Sequence, residues 1–161
     1  MSFRYIPNER LRKTPKRQHY YHVSENRLAY HNTVTLYPLD SEDMNGRGDF
    51  EPNNARICVG PTIPHCFSAI CHQWLFSKVY IYRTVNKVLA RYPYDVSDSR
   101  ITREKWLIHP TKFILIHTIC PKINHWPKSI PCGDGSYGNL QAQLKYMHKA
   151  KTILEDMGIT S

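Results

Sequence analysis

The chain alternates short apolar stretches with longer polar ones, and the apolar stretches carry two different periods. Residues 19–24 (HYYHVS), 33–37 (TVTLY, ended by Pro38) and 56–60 (RICVG) are short and rich in aromatic or β-branched residues, which predicts strands. Residues 78–83 (KVYIYR) also predict a strand, with Val79 and Ile81 on one face and Tyr80 and Tyr82 on the other. The continuous run at 112–117 (KFILIH) predicts a buried strand. Residues 101–108 fit a helix and a strand equally.

Two stretches carry helical spacing instead. Within residues 65–75, Cys66, Ala69, Ile70 and Gln73 or Trp74 share one face, with Thr62 as N-cap and Pro64 in the first turn. This predicts a short helix packed on the sheet. Near the end, Leu140, Leu144, Met147, Ile153, Leu154 and Met157 recur at near-helical intervals. Asn139 suits the start of that amphipathic helix and Gly158 its stop. Polar connections separate these elements: an acidic loop at 39–55, a Pro/Asp/Ser-rich link at 90–99, and a Pro-rich loop ending in the 133–138 turn. Strands and helices mixed in this way predict an α+β fold.

Composition narrows the picture. At 161 residues, 41% hydrophobic and 22% charged, the chain suits one globular domain and not a disordered one. Its apolar runs fall well short of the roughly 20 residues a bilayer needs, and the first residues have no apolar stretch typical of a secretory signal. The expectation is a cytoplasmic protein without a membrane contact.

Charge adds a division. The net charge is +9, and residues 1–17 hold Arg4, Arg10, Arg12, Lys13, Lys16 and Arg17 against Glu9 alone. The chain is therefore read as a basic arm (1–17) followed by a single domain (18–161). Arg10, Arg12, Lys13, Lys16 and Arg17 can neutralise the phosphates of a nucleic acid or dock an acidic protein. A solvated tail that only keeps the chain in solution fits the same residues.

Chemistry-bearing motifs are sparse. His65, Cys66, Cys71 and His72 crowd together, but neither their Cys nor their His spacing reproduces a zinc knuckle, so no metal is expected. The five cysteines lack a C-x-x-C pair and read as free thiols, and none sits in a recognisable nucleophile turn. No phosphate-binding glycine loop is present, and the acidic residues lie in a loop rather than at strand ends, which disfavours a nuclease.

Three strand-borne features remain: YHVS with His22, YIYR with Tyr80, Tyr82 and Arg83, and ITREKW with Glu104. A histidine on a first strand can bond a ribose hydroxyl, and a tyrosine face can stack a nicotinamide or adenine ring. A later glutamate can stabilise the positive charge that develops when a glycosidic bond ionises. Each also has a structural reading: a bonded core histidine, a cross-strand tyrosine face, and a surface charge before a buried Trp106.

Through YHVS, RICVGPTIPHCFSAI, VYIYR and DVSDSRITREKWLIHPTKFILI, residues 20–119 resemble the ADP-ribosyltransferase-like superfamily, in its small His–Tyr–Glu branch. The resemblance implies a bent, split β-sheet with NAD in the cleft between its halves. It implies His22 on the ribose, Tyr80 or Tyr82 on the nicotinamide, Glu104 as the catalytic carboxylate, and Arg56 or Arg83 at the pyrophosphate. An NAD-dependent transferase of ADP-ribose to a macromolecule would follow. The superfamily also holds members that only bind. The rival expectation is a non-enzymatic basic binding protein, an effector or inhibitor acting on nucleic acid or on a protein machine bound to it.

Overall fold

The computed structural model describes residues 16–40, 55–70, 78–93, 99–121, 126–127 and 137–160. In chain order they form β1 (Tyr21–Ser24), β2 (Thr33–Leu36), β3 (Ile57–Val59), α1 (Ile63–Ala69) and β4 (Val79–Thr84), then α2 (Ser99–Thr102), β5 (Lys105–Leu107), β6 (Thr111–Ile119) and α3 (Tyr137–Asp156). Strands and helices are not regularly interleaved and every pairing is antiparallel, which makes this an α+β fold with a C-terminal helix.

Strands β1, β4, β6 and β2 lie in that order in a four-stranded sheet, while β3 and β5 form a separate pair. The two sheets meet at Tyr21 and Gly60, whose backbones exchange two N–H···O bonds of 2.9 Å each. The chain enters β1 under similar control. Gln18 exchanges bonds with Val88, and the Tyr20 N–H donates to Thr84 Oγ1 at 3.1 Å.

Burial on both faces of β4 explains why Val79 to Tyr82 are all apolar or aromatic. Val79 and Ile81 pack with Ile63 and Phe67 of α1, Ile119 of β6 and Ala150 and Leu154 of α3. Tyr82 belongs to the second core with Phe113, Ile57, Val59 and Leu107, so this face is covered by the two-stranded sheet. Each fully buried side chain of this size contributes about 1.5–3 kcal/mol by leaving water. Two buried polar contacts tie the helical layer together: Gln143 Nε2 donates to Ser68 O at 3.2 Å, and Trp126 Nε1 to the Tyr146 hydroxyl at 2.8 Å.

The boundaries differ from expectation in three places. Helix α1 starts at Ile63 and closes at Ile70, whose N–H reaches Phe67 O; Cys71, His72 and Trp74 lie outside the described residues. Helix α3 begins at Tyr137, so Asn139 lies inside it rather than at its cap. Residues 101–108 divide: α2 ends at Thr102, Arg103 turns with φ 49°, and β5 begins at Lys105. The ambiguous periodicity was that of two short elements joined by one left-handed residue. Residues 1–15, which include Arg10, Arg12 and Lys13, lie outside the described residues, and Lys16 and Arg17 are exposed.

Candidate active site

A cavity of about 120 Å³ opens where β1, β3, α1 and the α2–β5 turn converge. His22 and Glu104 both line it, together with Cys58, His65, Cys66 and Thr102. Val23, Val59, Ala69 and Ile70 supply its apolar wall. Two residues far apart in the chain and singled out on their chemistry thus share one cavity.

The fold places His22 through alternation on β1. His22 pairs with Tyr82, so its ring projects toward the β3–β5 side while Tyr21 and Val23 pack toward the helices. Its Nδ1 stands 2.9 Å from the Cys58 carbonyl oxygen. A carbonyl can only accept, so Nδ1 carries the hydrogen and Nε2 is left as the acceptor of a neutral ring. Burial lowers the imidazole's pKa, outweighing the pull of that carbonyl, and this favours the neutral form.

Glu104 is placed by the turn before β5. Its N–H donates to Thr102 Oγ1 at 3.2 Å, and its Oε1 accepts the Trp106 indole N–H at 2.8 Å. Trp106 is buried and stands opposite Cys58 in the β3–β5 ladder. The Cys58 thiol in turn bonds the Glu104 carboxylate, and burial followed by that carboxylate pushes the thiol well above its ordinary pKa. Cys58 therefore stays protonated, with its carbonyl on His22 and its thiol on Glu104. Burial likewise pushes the Cys66 thiol up to about 12, and its Sγ donates to Tyr21 O at 3.3 Å. Neither thiol is poised as a nucleophile.

The other expected site residues stand elsewhere. Tyr82 is fully buried, and its hydroxyl accepts the Leu28 N–H at 2.9 Å; it packs the second core and does not line the cavity. Tyr80 is half-buried against the same core. Arg56 is 1% exposed with its guanidinium 4.5 Å over the Trp106 ring, a cation–π contact inside the fold. Arg83 pairs with Tyr21, which puts it on the opposite face from His22.

Reasoning from sequence missed Cys58, Thr102 and His65 as cavity residues. In sequence His65 reads only as a metal candidate, and among the described residues no group of three or more His, Cys, Asp or Glu is arranged to hold a metal ion. Nor is any helix among them long and apolar enough to cross a membrane.

Comparison of the chain with protein-family models, curated proteins and solved structures gives no match. The chemical reading therefore rests on the cavity itself. Most of its surface is the aliphatic wall, with His22 and Glu104 at its lining. The volume lies below the roughly 300–1,000 Å³ of drug-sized sites, so only part of a larger ligand would fit inside.

Proposed function

We propose that the His22–Glu104 cavity is the sugar-binding centre of an ADP-ribosyltransferase-like protein that takes NAD, or a related nucleotide, and transfers ADP-ribose to a macromolecular target. The observation that supports this reading is the presence of His22 and Glu104 on the lining of one cavity. The acceptor nitrogen of His22 suits a ribose hydroxyl. The Glu104 carboxylate, oriented by Trp106 and Cys58, suits the positive charge that grows at the anomeric carbon as nicotinamide leaves with the bonding electron pair.

The tyrosines take no part in this version of the site. The nicotinamide ring would rest on the aliphatic wall of Val59 and Ile70 instead.

Incubation with labelled NAD and cell extract tests the reading. The wild type is expected to release nicotinamide and label a macromolecule. Glu104→Gln, which keeps an oxygen for the Trp106 indole, is expected to lower that rate about 100-fold, the usual scale for removing a charge-stabilising group. Absence of NAD binding by calorimetry, or release unchanged in the variant, would overturn it.

A second reading, a basic protein that binds a polyanion without catalysis, draws on a different observation. The described acidic residues are Glu25, Asp40, Glu104, Glu155 and Asp156, and cations outnumber them along the same segments. Exposed Lys16 and Arg17 continue the basic arm into that surface.

A further inference from the structure

The four-stranded sheet turns one face toward the helices, and the helices cover it only in part. Tyr21, Ile81 and Ile116 of that face pack against the helix-side core. The register carries the face beyond them: Arg83, Ile114 and Thr33 follow Tyr21 in one row across the sheet. Lys112 and Thr35 form the next row on the same side. Pro38 keeps the residue before it extended, so Tyr37 continues the alternation of Thr33 and Thr35. Thr33, Thr35, Tyr37 and Lys112 are exposed, Tyr37 at 65%, while Arg83 and Ile114 are half-buried.

The described part of this surface carries cations and no carboxylate. Glu104 lies on the cavity, Glu155 and Asp156 end α3, Glu25 stands beyond the far end of β1, and Asp40 follows the Leu39–Arg56 pairing. Among the described residues neither Arg83 nor Lys112 has an ion pair, and the buried Arg83 Nε has no hydrogen-bond partner. A phosphate meeting these two cations has no carboxylate to displace.

The basic arm joins the domain at the same end of the sheet. Strand β1 runs antiparallel to β4, β4 to β6 and β6 to β2, so β1 starts where β6 begins and β2 finishes. Exposed Lys16 and Arg17 precede β1, and Gln18 fixes the entry through its bonds with Val88. Nearby, the Val85 N–H donates to Lys112 O at 2.9 Å. Three strand spacings make the sheet about 14 Å wide. The arm enters at one edge and the Tyr37 ring stands at the other.

We infer that this open face binds single-stranded nucleic acid, with phosphates on Arg83, Lys112 and the arm and a base stacked on Tyr37. The inference rests on the polyanion-binding reading and deepens it, giving that reading a place on the domain and a form of partner. A single strand fits because its bases are free to stack on an exposed ring, whereas a duplex holds them inside. The Thr33 and Thr35 hydroxyls can donate to phosphate or sugar oxygens, contacts that position a strand without reading its sequence. A second copy of this chain fits poorly, since each copy carries a net charge of +9.

Fluorescence anisotropy of the full chain with a labelled oligonucleotide of about a dozen bases tests the inference. The wild type is expected to bind, more weakly as salt rises. Tyr37→Ala is expected to raise Kd about tenfold, the scale of one stacked base. Lys112→Gln and Arg83→Gln are each expected to flatten the slope of log K against log salt by about 0.7. Lys149→Gln, at an exposed position on α3, is expected to change neither, with circular dichroism showing every variant folded. Unchanged Kd and slope in folded Tyr37→Ala and Lys112→Gln would overturn the inference. If deleting residues 1–17 then abolished binding, the polyanion reading would stand and belong to the arm alone. No binding by the wild type would remove both. Equal affinity for a duplex of the same length, or for polyglutamate, would overturn the single strand as partner.

Discussion

A Cβ built on Gly60 would stand 2.7 Å from Cys66 Sγ, 3.1 Å from Cys66 N and 3.2 Å from Thr62 O. The close approach of β3's end to the first turn of α1 thus requires glycine, and it sets the wall shared by Gly60 and Cys66 in the cavity. Gly60→Ala is expected to destabilise the fold by about 1–3 kcal/mol, as overpacking does. Urea denaturation checks this, and Cys66→Ala in the same chain should recover only part of the stability because the backbone neighbours remain. His65 gives a second residue-scale expectation. Its pKa falls from 6.5 to about 4 on folding, so between those values the unfolded chain binds more protons. Its contribution is fully present above about pH 6.5 and lost as pH falls toward 4; the lowered pKa of His22 acts in the same sense. Denaturation midpoints that fall between pH 7 and pH 4.5 would show it, and a flat profile would contradict it. At this scale His22 and Glu104 were legible because their chemistry is distinctive. Cys58 was not, since its contribution combines a backbone carbonyl with a thiol whose partner comes from a different strand.

Helix α3 ends through a backbone motif at Gly158. Gly158 has φ 75°, its N–H reaches Glu155 O at 2.9 Å, and the Ile159 N–H reaches Leu154 O at 2.8 Å. Ile159 and Leu154 then meet in the helix-side core. Nothing lies within 4 Å of a Cβ added at Gly158, so the cost of Gly158→Ala is conformational alone, about 1–2 kcal/mol. Thermal unfolding checks it, with a lower Tm expected. At the start of α1, Thr62→Ala removes both the cap to the His65 N–H and the bond to Nδ1, and is expected to cost about 1 kcal/mol by the same measurement. The elements legible in the sequence were the strands marked by aromatic and β-branched residues, β1, β2, β3, β4 and β6, together with the body of α3 and the Thr62–Pro64 entry to α1. The stretch 101–108 was not, because two short elements joined by a left-handed turn leave no period for either to display. That turn is also what carries Glu104 to the cavity. The least regular segment was the one the site depends on.

For the molecule as a whole, the basic arm and the exposed Lys16 and Arg17 predict attraction to polyanions. Deleting residues 1–17 leaves the Gln18–Val88 pairing intact and is expected to weaken binding to single-stranded nucleic acid without unfolding the domain. The slope of log K against log salt should also flatten by about 0.7 for each phosphate that the arm no longer neutralises. Filter binding across a salt series checks both, and an unchanged slope would show that the arm neutralises none.

The order β1-β4-β6-β2 has a consequence for how the chain reaches this state. Strands β1 and β2 are neighbours in sequence yet stand at opposite edges, each bonded to a strand made much later. A ribosome releasing the chain from its N-terminus frees both before either has a partner, and β2 must wait for β6. Non-local pairing of this kind slows folding and lengthens the time during which unpaired edges are exposed. The time spent with unpaired edges would then bear on the yield of folded protein, and refolding from denaturant should be slower than for a helical domain of the same size.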